Sequence, residues 1–328
     1  MHRIRLKNGK TFLCDENATI FDAAKSSGIL LEHSCLTARC RSCVVRIIEG
    51  STKDKLDDMV LTELEKETQA LSCNAIPTSD LLLDIEDLGN IIFYEKKIVP
   101  AKIQSIDKLI PDVIKVTLRL PPNVNFAYNA GQYVNLIRGQ TKRSYSIANS
   151  FKEENSLCFF IKNYENGEMS RYWFNEAKEN DLIRLEGPLG SFFLRETDKT
   201  NIILLATGTG IAPIKAILEK VKEQFGNYQN KIFWLFFGAR TEKDIFWVPN
   251  SIEFVNLKFV KALSRELINS DCYIGYVQNA MINLNIDLTD AQVYACGSSF
   301  MIESARRLCI ENGLPENEFF SDAFICTN

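Results

Sequence analysis

A chain of 328 residues is longer than one ordinary hydrophobic core supports and predicts two or three domains. Its composition, 46% hydrophobic and 24% charged with a net charge of −4, excludes a disordered chain and argues against nucleic acid as a partner, since phosphate binding needs a basic face. The N-terminus Met1-His-Arg-Ile-Arg-Leu-Lys7 has no apolar signal segment and no run approaches 18 apolar residues, so a cytoplasmic location with no membrane partner is expected. In a reducing cytosol, ten cysteines point to metal or redox chemistry rather than to structural disulfides.

Ile4 and Leu6 alternate with charges, Asn8-Gly9 signals a tight hairpin, and Thr11–Cys14 returns as a second strand. Thr19 is the expected N-cap of a helix carrying Ile20, Ala23 and Ala24 and stopping at Gly28. The loop that follows holds Cys35, Cys40 and Cys43 at C-x4-C-x2-C spacing, with Cys73 further on. Val44–Ile48 predicts a strand, Thr62 opens a short charged helix with a capping box to Glu65, and Leu81–Ile85 predicts a closing strand.

Four thiolates at this spacing suit the two irons of a [2Fe–2S] cluster. Cys40-x2-Cys43 alone would equally begin a zinc site, and a cysteine is also a small buried filler. Cys73 stands without a close second partner, which weighs against a zinc ribbon. The order of elements around these cysteines resembles the plant-type ferredoxins over residues 1 to about 90. The resemblance implies a β-grasp (α+β) domain with Cys35, Cys40, Cys43 and Cys73 as cluster ligands. Family members usually carry glycine where this chain has Ala38 and Arg41, at places that want a positive φ.

Gly89-Asn90 marks the break to a second domain, where strands are predicted at 101–106, 114–120, 132–137, 144–148, 157–162 and 182–186, the pattern of an antiparallel barrel. One helix is expected, over 170–177. Arg143-Ser144-Tyr145-Ser146 and Gly167-Glu-Met169-Ser170 supply a guanidinium, a flat ring, hydroxyls and helix-start amides, the groups an anion with an aromatic ring would need. Alone, the first tetrapeptide is equally an ordinary exposed strand. Together the two resemble the R-x-Y-S and G-x-x-S segments of the ferredoxin–NADP reductase family. That resemblance implies bound FAD, with Arg143 and the amides of Gly167, Met169 and Ser170 on its pyrophosphate, Tyr145 on the ring and Ser146 near N5. Ser144 belongs to the same segment, and Lys162 stands where relatives carry a basic residue, or is a solvated strand-end charge.

A third domain begins with the apolar strand Asn201–Ala206, the turn Thr207-Gly208-Thr209-Gly210-Ile-Ala-Pro213 and a helix over 214–223. Further strands are expected at 231–237, 254–262 and 290–295, and a helix at 299–312. Strands alternating with helices predict an α/β Rossmann-like parallel sheet whose glycine turn receives a pyrophosphate. The turn resembles the nicotinamide segment of the same reductase family, which implies Gly208, Thr209 and Gly210 on the nucleotide and Cys296-Gly297 beside the nicotinamide. The alternative for Cys296 is a buried structural thiol. Gly238-Ala-Arg240-Thr-Glu242 looks like the NADH-using branch, and the C-terminal Phe324 is expected either over the flavin or in plain terminal packing.

The expected arrangement is a multidomain chain: ferredoxin domain 1–90, FAD-binding barrel 91–197 and NAD(P)H-binding domain 198–328. Ser146 and Cys296 flank the hydride-transfer step, and electrons then pass through the cluster to an electron-accepting enzyme. This domain order resembles reductase components of multicomponent oxygenases. Segments such as Arg143–Asn149 and Phe319–Phe324 resemble more closely the reductases serving pyridoxamine-phosphate (PMP)-dependent sugar dehydrases of 3,6-dideoxyhexose biosynthesis. A partner-binding module without electron transfer is the non-enzymatic alternative, and it leaves four ligand-spaced cysteines unexplained.

Overall fold

The computed structural model describes every residue except 90, 152–154, 251–255, 267–270 and 324–328. The described chain divides into two compact units, one over Met1–Ile92 and one that begins at Phe93.

In the first unit, alternation along His2–Leu6 (β1) buries Ile4 and Leu6 and leaves Arg3 and Arg5 exposed. Gly9 takes the positive φ of the predicted hairpin, and Thr11–Cys14 (β2) pairs back antiparallel, His2 opposite Cys14. Thr19 caps Ile20–Ser26 (α1) by accepting the Asp22 amide. Val44–Glu49 (β3), Thr52–Asp54 (β4), Glu63–Lys66 (α2), Gln69–Leu71 (β5), Ala75–Pro77 (β6) and Leu81–Leu83 (β7) follow. The sheet order is β2-β1-β7-β3-β5, with only β1 and β7 parallel, and β4 pairs with β6 apart from it. Ile20 and Phe21 of α1 pack on Ile4, Leu6 and Leu83, which is the β-grasp core the sequence predicts.

The second unit opens with Lys97–Ile110 (β8), Val113–Arg119 (β9), Tyr133–Arg138 (β10), Thr141–Ser146 (β11), Ser156–Lys162 (β12), Glu168–Arg171 (α3) and Leu182–Leu189 (β13). The antiparallel order is β11-β10-β13-β8-β9-β12, and a bridge between Ile147 and Phe159 joins the two edges into a barrel. β11 runs over 141–146 instead of the predicted 144–148. Ile147 and Ala148 leave it because their amides bond to Gln132 and Cys158 carbonyls. The predicted 170–177 helix is instead α3 followed by a wide π turn, Tyr172–Glu176, which buries the adjacent Tyr172 and Trp173 in the barrel core.

Asn201–Thr207 (β14), Ile211–Glu223 (α4), Ile232–Ala239 (β15), Leu257–Leu263 (β16), Tyr273–Ile274 (β17), Val277–Asn283 (α5), Ala291–Gly297 (β18), Ser299–Glu311 (α6) and Phe319–Ala323 (β19) complete the unit. Every neighbour in the order β17-β16-β15-β14-β18-β19 is parallel. Strand order reverses beside β14, where open α/β sheets bind ligands at strand C-termini. α4 starts at Ile211 rather than at the predicted 214, since Pro213 lies in its first turn, where a missing amide costs nothing. The predicted 254–262 strand is β16, and its first two residues fall outside the described chain. Val113, Ala148, Phe160 and Phe192 of the barrel share one core with Ile202, Leu204, Ile214 and Leu235, so barrel and parallel sheet meet in an apolar joint.

Candidate functional site

The cysteine loop is shaped by left-handed residues. Leu36, Ala38 and Arg41 have φ of 55°, 61° and 63°. Each costs about 1–2 kcal/mol for a side-chain-bearing residue. Ala38 and Arg41 are the two positions where the resemblance places glycine. The backbone keeps that conformation and the side chains tie it down. The Ala38 methyl packs with Cys43, Leu61 and Leu71, and the Ala38 carbonyl accepts the Val60 amide at 3.0 Å. Arg41 pairs with Glu65 of the α2 capping box and donates to the Val60 carbonyl at 3.3 Å.

The four cysteines gather as two pairs. Cys43 Sγ lies 3.2 Å from Cys73 Sγ, and the free thiols of Cys35 and Cys40 are hydrogen-bonded to each other. Thr37 N–H donates to Cys35 Sγ at 3.3 Å and Cys35 N–H to Cys40 Sγ at 3.4 Å. Cys35 and Cys73 are held below the ordinary thiol range, first by the thiols of Cys40 and Cys43, then by the Thr37 hydroxyl at Cys35 and by backbone amides at both. Two thiol pairs with amides aimed at sulfur fit a two-iron cluster held by four thiolates.

β11 carries the second set. Alternation places Arg143 and Tyr145 on one face and Lys142, Ser144 and Ser146 on the other. Behind the strand, Ser144 Oγ donates to Asn135 Oδ1 at 2.8 Å, and Asn135 Nδ2 donates to Glu186 Oε2 at 3.0 Å. Glu186 also takes ion pairs from Lys96, at 3.1 Å, and from Lys142. Lys142 above all, then Asn135 and Lys96, holds its carboxyl down at about 2. In front, Tyr145 meets the edge of Trp173 at 6.5 Å between ring centres, and burial pushes its phenol up to about 12. Arg143 is exposed, Ser146 buried.

α3 packs against β11 and so brings Gly167, Met169 and Ser170 to the Arg143 strand. The Gly167 amide donates to the Tyr164 carbonyl at 3.0 Å and serves the turn itself. Ser170 Oγ accepts the Tyr164 amide at 3.0 Å. Four residues make a short dipole, so an anion here would rely on Arg143 and on the first-turn amides of Met169 and Ser170. Lys162 ends β12 and pairs with Asp112 at 3.5 Å.

The third set comes together at the C-terminal edge of the parallel sheet. A Cβ on Gly210 would sit 2.3 Å from the Cys296 carbonyl oxygen, and one on Gly297, at φ 149°, would sit 2.1 Å from Thr207 Oγ1. The Gly208–Gly210 turn, with Thr209 buried in it, and the Cys296-Gly297 strand end therefore press together in a cradle that only glycines permit. The turn also lies against β12 of the barrel. Cys296 is wholly buried, and burial, then Asp322, push its thiol upward. Asp322, opposite Cys296 on β19, carries no motif and is legible only from the pairing of the strands. Ser72 was equally silent in the sequence: its buried hydroxyl, next in sequence to Cys73, has no hydrogen-bond partner among the described residues. Phe324 lies outside the described residues.

Comparison with known proteins finds three domains along the chain. A 2Fe-2S iron-sulfur cluster binding domain matches residues 5–78, an oxidoreductase FAD-binding domain 100–194 and an oxidoreductase NAD-binding domain 204–307. The chain is 37% identical to the CDP-6-deoxy-L-threo-D-glycero-4-hexulose-3-dehydrase reductase of Yersinia pestis, over 97% of this chain and 96% of that protein. It is 28% identical to reductase component 1 of the Comamonas terephthalate 1,2-dioxygenase, over 98% and 97%. In fold it is similar to an Amycolatopsis cytochrome P450 reductase, TM-score 0.74 at 21% identity, covering 99% of both chains. These matches define an electron-transfer oxidoreductase carrying [2Fe–2S], FAD and NAD-binding domains. The chain belongs to the family of iron–sulfur flavoprotein reductases in which the dehydrase reductases stand beside those of the oxygenases.

Two substitutions test the supports of this site. Glu65→Ala removes the partner of Arg41 and half of the α2 capping box, and is expected to cost about 1–2 kcal/mol and to hasten loss of the cluster's visible absorption on warming. Glu186→Gln addresses the buried acid behind β11. A carboxyl held at about 2 stabilises the fold above its unfolded value and loses that contribution as pH falls from about 4.5 toward 2. The variant should therefore melt earlier than the parent at pH 7, by on the order of 2 kcal/mol, with the gap closing as thermal scans are taken down to pH 3.

Proposed function

We propose that this protein oxidises NADH and delivers the electrons one at a time to a separate PMP-dependent dehydrase acting on a CDP-4-keto-6-deoxyhexose in 3,6-dideoxyhexose biosynthesis, within the cytoplasm. The observation that carries the reading is end-to-end similarity: 37% identity to a dehydrase reductase against 28% to an oxygenase reductase, at nearly equal coverage. The second reading, reductase of a multicomponent oxygenase, rests on that lower similarity.

A nicotinamide supplies two electrons as hydride, a flavin takes the pair and releases them singly, and a [2Fe–2S] cluster carries one. The three modules are proposed to span 1–90, 91–197 and 198–328. Cys35, Cys40, Cys43 and Cys73 hold the cluster, and the Thr37 and Cys35 amides steady its sulfurs. Arg143 and the Met169 and Ser170 amides bind the FAD pyrophosphate, Tyr145 lies on the ring, and Ser146 marks its reactive edge. Gly208, Thr209 and Gly210 admit the nucleotide, and Cys296-Gly297 places the nicotinamide. Glu242, held by Lys261 on the turn after β15, supports a free 2′-hydroxyl and hence NADH. No side chain has to move a proton for the hydride step, so the work of the site is positioning.

Anaerobic titration of the purified protein with NADH, followed by flavin bleaching and by the reduced cluster's EPR signal, is expected to take up about three electrons, two for the flavin and one for the cluster. Flavin bleaching without any cluster signal would sink the relay. Turnover of a CDP-4-keto-6-deoxysugar by a dehydrase, sustained by this protein, separates the two acceptors.

A further inference from the structure

One stripe of α4 is charged where it faces the barrel. Lys215, Glu219 and Glu223 recur every fourth residue and so share a face of the helix. All three reach the segment that follows Ser146. Lys215 Nζ donates to the Ala148 carbonyl at 2.8 Å and pairs with Glu219. Glu219 Oε2 accepts the Ser150 amide at 2.9 Å, and Glu223 Oε1 accepts the Ser150 hydroxyl at 2.5 Å.

The segment they grip is itself fixed. Tyr128 Oη donates to the Asn149 and Ser150 carbonyls at 3.1 and 2.9 Å, and Asn149 Oδ1 accepts the Cys158 amide at 2.7 Å. Ala148 and Ser150 are fully buried. At its other end α4 continues directly from the Gly208–Gly210 turn, which is wedged against Cys296 and Gly297. Two residues beyond Ser146, then, the flavin strand is bolted to the helix that carries the nicotinamide turn.

We propose that Lys215, Glu219 and Glu223 are positioning residues for hydride transfer, fixing the distance and register between the Ser146 edge and the Gly208–Gly210 turn through the Ala148–Ser150 segment. This rests on the reading that flavin and nicotinamide meet between those two places. The bonds are directional, whereas the apolar joint beside them, of Ala148, Phe160, Phe192 and Ile214, resists separation more than sliding. A displacement of about 1 Å in a reacting pair is enough to lower a rate about 100-fold.

The test uses the holoprotein with Lys215→Met and Glu219→Gln. With flavin content and visible spectrum matched to the parent, the limiting rate of anaerobic flavin reduction by NADH is expected to fall about 10- to 100-fold, while the NADH dissociation constant stays within about threefold. The long-wavelength charge-transfer absorbance between reduced flavin and NAD⁺, which reports ring overlap directly, is expected to weaken in parallel. A merely structural stripe would lower the melting temperature and leave limiting rate and charge-transfer band unchanged, and that result overturns the proposal. If either variant loses flavin, Ser150→Ala and Glu223→Ala each remove only the bond between the Ser150 hydroxyl and Glu223, and unchanged rate and band in both overturn it as well. Failure of the functional reading shows itself separately, as an unsubstituted protein whose flavin NADH does not bleach.

Discussion

The NAD-binding domain depends on one contact: the turn after β14 lying so close to the end of β18 that neither Gly210 nor Gly297 has space for a side chain. A parallel sheet delivers both strand ends to the same edge, and the reversal of strand order beside β14 opens a crevice there. Gly210 lets the turn lie against the Cys296 carbonyl and Gly297 leaves space for the Thr207 side chain, so the turn and the strand end hold one another in place. β19 then seals the far side and sets Asp322 against Cys296.

The cysteine loop solves a similar problem in the opposite way. It needs left-handed backbone at Ala38 and Arg41, and there the chain accepts about 1–2 kcal/mol of strain at each position in place of glycine. In return Ala38 fills a small core beside Cys43, and Arg41 reaches the capping-box carboxylate of α2. One glutamate, Glu65, thus caps the start of a helix and anchors the loop that holds the thiols.

Local signals in the sequence were reliable where the chemistry is local. Asn8-Gly9 turns a hairpin, and Thr19 and Thr62 cap helices, because each depends on residues a few positions away. Strand ends were less legible. β11 stops at Ser146 only because Gln132 and Cys158 offer carbonyls to the next two amides, and neither is near in sequence. α5 has a side-chain cap at neither end, and Val277, Ala280 and Met281 read as helical only against α6 and the sheet. Glu186 looked like an ordinary strand charge, since its partners Lys96, Asn135 and Lys142 come from three other segments.

The α4 stripe shows why such partners stay hidden and why they matter. By spacing alone, Lys215, Glu219 and Glu223 are a solvated face with a favourable i,i+4 pair. Folding leaves Lys215 and Glu219 with side-chain exposures of only 17% and 27%, which costs desolvation that an exposed pair avoids. The cost is offset only because the Ala148 carbonyl, the Ser150 amide and the Ser150 hydroxyl satisfy the charges with backbone geometry. Apolar residues of equal volume would bind the two layers as tightly and more cheaply, but they would accept several registers. Directional bonds accept one, and a site whose chemistry is all positioning gains from that restriction.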